Sequence, residues 1–311
     1  MVSSVIELRP ATEDESAAWL DDWRTRLHAW YSHRGLPAAW GTAQVERQLA
    51  MRAAGQPSVT FALVADGARV GVLAIGVVPQ AGAWVGLIGD IEIAPDFRRR
   101  GYGAAAVRAA EGWARDHGAS VMRAVTNPAD PAHSALLAGY PVRAHQLIRD
   151  LSVVSPLADG LEGRPMTSAE FAGWRADAVR GYAADMADSG TLPPDEAAAA
   201  AVAQFDQLLP DGLATKDHSF LSLCANGEVV ATNWIGHHYA PSTSWVYGVE
   251  VQERFRGRGY GRAAMIIGEQ ATVAARDTHL GLNVFGHNTP AISLYQSMGY
   301  RGYEDARSIE L

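Results

Sequence analysis

The sequence predicts an α+β fold of two halves built in the same order, and three observations carry that reading. The first is a phrase written twice, Phe97-Arg-Arg-Arg-Gly-Tyr-Gly103 and Phe255-Arg-Gly-Arg-Gly-Tyr-Gly261. The second is a pair of turns, Asp66-Gly67 and Asn226-Gly227, each between β-like runs. Asp-Gly and Asn-Gly suit type I′ hairpins, whose two central residues need positive φ. The third is the order after each hairpin: a strand, the glycine phrase, a helix and another strand. This is a βαβ passage following antiparallel strands. Flanking phrases keep the same order: Ile6–Thr12 parallels Leu161–Thr167, and Gly139-Tyr140 parallels Gly299-Tyr300. Solenoid repeats are only about 20–50 residues long, so a repeat of this span indicates duplicated domains.

Taken in order, Thr12 and Thr167 each stand where they can cap a helix, and Thr12-x-x-Glu15 has capping-box spacing. Trp19, Trp23, Leu27 and Trp30 recur at near-helical spacing, as do Phe171, Trp174 and Ala178, and both stripes read as core. A second helix in the later half starts at Pro194-Asp-Glu and runs over roughly 194–208, with proline and acids where a helix start favours them. The hairpin runs begin at Val59 and Arg69 in the first half and at Phe220 and Glu228 in the second. Third strands are expected over 84–93 and 243–251, helices over 103–116 and 260–275, and further strands over 120–126 and 279–284. A short helix and a last strand then close each half. Residues 150–160, with Ser155-Pro156 and Asp159-Gly160, read as the linker. The expected domains are 1–154 and 155–311.

Bulk composition narrows the function. A chain of 311 residues with 48% hydrophobic and 19% charged side chains can fill two cores. A net charge of −8 argues against a nucleic-acid scaffold, because nothing offsets phosphate repulsion over a wide surface. The single cysteine, Cys224, lies in an apolar strand-like run, which excludes a disulfide framework and reads as a buried thiol. No metal-ligand spacing is evident. No apolar run reaches 18 residues, and the first residues lack a basic-then-apolar leader pattern, so no membrane role and a cytoplasmic location are expected.

The duplicated phrase is suited to phosphate. Backbone amides from Gly257 to Arg262 can converge at a helix start, where unpaired N–H groups and the helix dipole favour an anion. Gly259 and Gly261 permit a tight bend without a blocking side chain, and Arg256 and Arg258 can add charge-assisted hydrogen bonds. A Walker loop needs a lysine that neither copy has. Both copies match Gly-x-Gly-x-x-Ala, but the following strands end in Val125-Thr126-Asn127 and Asn283-Val284-Phe285. Neither supplies the acid that a dinucleotide fold places on the ribose.

Three separated motifs in the second half occur in one order: Val249-Glu-Val with Arg256-Gly-Arg-Gly-Tyr-Gly, then Leu282–Asn288, then Ala291–Tyr300. In this the chain resembles a GCN5-related N-acetyltransferase (GNAT) over most of residues 160–311. The first half resembles the same family through Asp90–Gly103 and less afterwards. Together they are similar to the tandem arrangement also seen in mycothiol synthase. The resemblance implies two GNAT-like domains, each a mixed, mostly antiparallel twisted sheet flanked by helices. It implies acetyl-CoA as donor, a small-molecule or peptide amine as acceptor, and a monomer with pseudo-dimeric halves or a homodimer.

The resemblance also implies roles. Backbone groups of Val249 and Val251 would pair with pantetheine, and Arg256, Gly257, Arg258, Gly259, Tyr260, Gly261 and Arg262 would hold pyrophosphate. Asn288 would contact the coenzyme, Glu250 would be the general base, and Tyr295 the general acid. The separation of seven positions from Asn288 to Tyr295 places them near one face of a helix. Either the first half holds coenzyme A too, through Ile91, Ile93, Arg98, Arg99, Arg100, Gly101, Tyr102, Gly103 and Ala104, or it keeps only the fold. Aligning the Gly-Tyr pairs sets Ala135 opposite Tyr295 and Pro128 opposite Asn288, so the first half retains Glu92 but is expected to be catalytically weak. Two other classes compete: an acyl-CoA-binding regulatory module with little turnover, and a nicotinamide-dependent enzyme. His237-His238 read as a loop beside the acceptor site or as plain surface, and loops 185–195 and 236–244 are expected to shape the acceptor pocket.

Overall fold

The computed structural model describes residues 6–32, 36–53, 58–80, 83–188 and 194–311. Its two compact units are not linear segments. One comprises Met1–Leu147, Val284–Thr289 and Arg301–Leu311, and the other Ile148–Asn283 and Pro290–Tyr300. Among the described residues no helix is long and apolar enough to cross a membrane.

In the first unit the elements follow as β1 (Glu7–Pro10), α1 (Glu13–Ser32), α2 (Ala38–Ala53), β2 (Ser58–Ala65), β3 (Ala68–Gln80), β4 (Ala83–Ile93), α3 (Tyr102–Asp116), β5 (Val121–Thr126), α4 (Pro131–Leu136) and β6 (Val142–Asp150). The strands are antiparallel from β1 to β4, and β4 then runs parallel to β5. The helix α2 is absent from the sequence expectation. Pro37 precedes it and Trp40, Gln44 and Val45 bury one side of it, but no capping acid marks its start. The core beneath α3 is formed by Leu63, Leu73, Ile75, Val107 and Met122.

The second half of the chain repeats the order as β7 (Leu161–Pro165), α5 (Ser168–Asp188), α6 (Pro194–Leu208), β8 (His218–Ala225), β9 (Glu228–Ala240), β10 (Thr243–Val251), α7 (Tyr260–Ala274), β11 (His279–Phe285), α8 (Thr289–Ser297) and β12 (Arg301–Glu310). Here β7 to β10 are antiparallel and β10 is parallel to β11. Residues 151–160 carry neither helix nor strand, as expected of a linker. Cys224 is buried in β8.

The last strand departs from expectation. Instead of closing its own half, β12 lies in the first unit, between β5 and β6, with Asp305–Glu310 antiparallel to Thr126–Val121. Side chains explain the placement. Arg307 donates to the Thr126 hydroxyl at 3.0 Å and to the Tyr140 carbonyl, while Tyr31 donates to buried Glu304 at 2.6 Å. Trp40 packs edge-on to Tyr303.

Both halves open with the same capping device. Glu15 N–H donates to the Thr12 hydroxyl while Thr12 N–H donates to the Glu15 carboxylate, and Thr167 and Glu170 do the same. Arg9 and Arg164 on the preceding strands then bind those carboxylates with both guanidinium nitrogens. These hydrogen bonds lower both glutamates from the usual 4.5 to about 2. A depressed folded-state value stabilises the fold above the unfolded value and ceases to do so as pH falls toward 2. Urea midpoints should therefore fall between pH 4.5 and 2, and Glu170→Gln should flatten part of that dependence.

Within the second unit, Glu269 of α7 is fully buried and accepts from Arg149 at 2.5 Å and from the Tyr300 hydroxyl at 3.0 Å. Burial raises its carboxyl, and Arg149 opposes that shift. Removing Arg149 would leave a buried acid without its cation. Arg149→Met should cost about 3–5 kcal/mol in denaturant unfolding, and adding Glu269→Leu should recover most of it.

Candidate active site

β10 is antiparallel to β9 until an extra residue, Tyr247, shifts the register between Val246 and Gly248. On its other edge the parallel ladder with β11 ends at Val246–Leu282. Residues 247–251 therefore leave that edge unpaired, so the backbone groups of Val249 and Val251 have no partner strand there among the described residues. The first unit repeats it, with an extra residue at Gly89 and a ladder with β5 ending at Ile88–Ala124. A bulge bends its strand and strengthens the local twist, so the two strands part beyond it.

Faces follow from packing. Val249 and Val251 sit against Ala263, Ala264 and Ile267 of α7. Alternation then turns Glu250 to the opposite face, where it is exposed.

After β10 a single 3₁₀ turn leads into the phosphate-type loop. Gly257 and Gly259 adopt φ of 77° and 83°. A Cβ at either would meet nothing within 4 Å, so the left-handed conformation, and not space, favours glycine there. Gly261 has the other reason, since a Cβ would come 3.2 Å from Leu294 of α8. The first-unit loop takes the same path, with Arg99 at φ 62° where the second has Gly257. Gly103 meets Leu136 of α4 as Gly261 meets Leu294.

Arg262 N–H turns back to the Gly259 carbonyl at 3.1 Å. The amides of 257–261 have no acceptor among the described residues. They form a row of donors at the N-terminus of the 15-residue helix α7. A cleft of about 850 Å³ beside this row is lined by Arg149, Leu157, Arg258, Tyr260, Arg262 and Met298. These donors and cations fit a pyrophosphate.

Individual residues divide the work. Arg256 donates to the Val251 carbonyl at 3.3 Å, and Arg98 does the same to Ile93 at 2.8 Å, so the first arginine of each loop braces the turn. Tyr260 and Tyr102 pack edge-on to Phe255 and Phe97, leaving their amides as the groups available to a ligand. Arg258 and Arg100 lie over those same phenylalanines.

Tyr295 of α8 is buried except for 7% of its surface. Its hydroxyl has no hydrogen bond among the described residues, yet is not among the enclosed unsatisfied atoms. Burial raises its pKa, keeping the phenol protonated at neutral pH. Asn288 is exposed and stands one residue before α8, so it flanks the helix and does not lie on its face as its spacing implied.

The equivalences also change. Asp130 caps α4 by accepting from Ala132 and His133, and so matches Asn288 better than Pro128 does. Counted from the helix start, the partner of Tyr295 is Leu137; counted from the Gly-Tyr pair, it is Ala135. Neither has a hydroxyl. His237 and His238 are in strand β9, not a loop. His237 bridges the Ser219 and Ser244 hydroxyls, on the face away from Trp234. Part of the 185–195 loop, residues 189–193, lies outside the described residues.

The two clefts differ most on the Glu250 face. In the first unit Asp90, with 9% of its side chain exposed, accepts two hydrogen bonds from Arg26 and one from Trp19, both on α1. Glu92 is held by Arg98 at 2.6 Å and approached by Arg26 at 3.8 Å. The equivalent of Asp90 is Gly248, which has no side chain. Neither Arg26 nor Asp90 stood out in the sequence, because no spacing rule links a helix arginine to a strand acid 64 residues away.

Comparison with known proteins fits this geometry. The model for the acetyltransferase (GNAT) family matches residues 16–140 and again 186–300. The chain belongs to the GNAT family. This GNAT protein is 30% identical over 141 residues to an uncharacterized N-acetyltransferase, YycN, of Bacillus subtilis, covering 44% of this chain and 90% of that one. It is 32% identical over 233 residues to a mycothiol acetyltransferase of Kineococcus radiotolerans, covering 69% of each. Its fold resembles a GCN5-related N-acetyltransferase from Sphaerobacter thermophilus, with TM-score 0.55, 18% identity and coverage of 98% and 95%. The tandem GNAT, acetyltransferase and α+β expectations hold.

Gly259→Ala places a Cβ at φ 83°, a strain of about 1–2 kcal/mol. The variant should melt lower, and calorimetric titration should show acetyl-CoA binding weakened more than tenfold.

Proposed function

We propose that this GNAT N-acetyltransferase carries out its chemistry in the second half, with residues 1–154 and 155–311 as the duplicated domains. The contrast between the halves carries the reading: the first ties Asp90 to Arg26 beside Glu92 and has no phenol at the Tyr295 position, while the second has a bare Gly248, an exposed Glu250 and the neutral phenol of Tyr295. Arg258, Arg262 and the amides of 257–261 hold the pyrophosphate, and the free edge of β10 at Val249 and Val251 pairs with pantetheine. Asn288 contacts the coenzyme beside them. The first loop, Ile91 and Ile93 with Arg98 to Ala104, binds coenzyme without turnover.

Bound acetyl-CoA supplies an acetyl group activated as a thioester. Glu250 takes a proton from the attacking amine, directly or through water, since the nitrogen must present a lone pair. The amine forms the C–N bond as the C–S bond breaks, and Tyr295 gives its phenolic proton to the departing sulfur. The new amide nitrogen sheds its second proton to solvent, which also takes the proton from Glu250 and reprotonates the phenolate. The acceptor is a small-molecule or peptide amine.

General acid catalysis of this kind is worth about 10²–10⁴-fold. Tyr295→Phe should lower kcat by that order with acetyl-CoA affinity unchanged, and Glu250→Gln should lower kcat likewise without weakening acetyl-CoA binding. Turnover that survived Tyr295→Phe but vanished on disrupting the Gly101 loop would place the chemistry in the first half. Coenzyme binding without thiol release from any amine would instead indicate a regulatory module.

A further inference from the structure

The residue that creates the bulge in β10 also builds a surface. The Tyr247 ring stacks on Trp234 at 4.7 Å and 23°. Trp234 stacks in turn on Phe220 at 5.7 Å, and its indole N–H donates to His218 at 2.8 Å. The Tyr247 ring lies over Gly236, where a Cβ would come within 2.5 Å of it. Trp234 is buried among Phe171, Phe205 and Phe220, so the pile is anchored in the core. Its outer member, Tyr247, is 38% exposed, and its ring also lies 5.7 Å from that of His218.

This pile shares a face with Glu250. Trp234 is paired with Gly248, while Val249 and Val251 point to the α7 side. Three residues of strand at about 3.3 Å each put roughly 10 Å between the Tyr247 and Glu250 positions. The bare Gly248 lies between them. The first unit has no counterpart: the hairpin registers equate Trp234 with Ala74 and Tyr247 with Gly89. The Tyr247 pile therefore belongs to the second unit; on the corresponding face of the first, Trp19, stacked on Trp23, lines a cavity of about 390 Å³ together with Arg69 and Glu92.

We propose that the exposed face of Tyr247, backed by Trp234, seats the acceptor, and that the acceptor class is a primary amine carrying an aromatic ring on a short linker. The ring stacks on Tyr247 while the nitrogen reaches past Gly248 to Glu250. Offset stacking contributes beyond simple burial, and the carboxylate sets the direction in which the amine points. The inference rests on the second half being the site of transfer.

The test uses the full chain and two probes, 2-phenylethylamine and n-butylamine. Each is titrated calorimetrically in the presence of coenzyme A, and each is assayed by thiol release at saturating acetyl-CoA. The expected results are at least about tenfold tighter binding and higher kcat/KM for the aryl amine. Tyr247→Ala should abolish that margin through a raised KM for the aryl amine, while Tyr247→Phe should retain it. Equal binding of the two amines by the parent chain, or an equal loss for both in Tyr247→Ala, would overturn the proposal. Ring-selective binding that needs Tyr247 but is accompanied by no turnover would uphold the platform and overturn the transferase assignment of this half.

Discussion

The extra residue at Tyr247 sets where β10 leaves β11, and the geometry of the candidate site follows from that departure. Before it, Thr243, Trp245 and Val246 are tied on both edges. After it, one edge is free while β9 still holds the other through Val251. A strand fixed on one side and open on the other presents unpaired backbone groups at a defined position. That position leads directly into the left-handed turns at Gly257 and Gly259 and the donor row of α7. The site is thus assembled from backbone, with few side chains needed to shape it.

Duplication supplied the frame twice, and side chains made the copies unequal. Both units have the bulge, the splay, the two left-handed loop positions and the glycine on which a short helix rests. They differ where a side chain projects onto the acceptor face. Asp90 holds Arg26 and Trp19 with charge-assisted hydrogen bonds where the second unit has Gly248, which has no side chain. A tyrosine on α8 has no hydroxyl-bearing counterpart on α4. Frame and chemistry are separable because the backbone hydrogen bonds that build the first do not depend on the residues that perform the second.

Much of the fold was legible because the signals were local. Asp66-Gly67 and Asn226-Gly227 take positive φ in their turns, Pro194 begins α6, and Thr12 and Thr167 cap their helices. The glycine phrase fixed the loop and helix to within a residue or two. What escaped depended on distant partners. The exchange of β12 rests on Arg307 meeting Thr126 across 181 residues, and the Arg26–Asp90 pair joins a helix to a strand. A bulge is a property of register between strands, so Tyr247 could not be distinguished from its neighbours in β10. The offset between Asn288 and Asp130 arises because α4 is shorter than α8, which an alignment fixed at one end does not reveal.

The central claim is that the splayed edge of β10 and the loop after it hold the coenzyme in the working half. Amide hydrogen exchange of the full chain, with and without saturating acetyl-CoA, tests it most directly, because those groups are backbone donors. The account predicts slowed exchange at 249–251 and 257–261. Slowing confined to 91–93 and 98–104, or none in either loop, would contradict it.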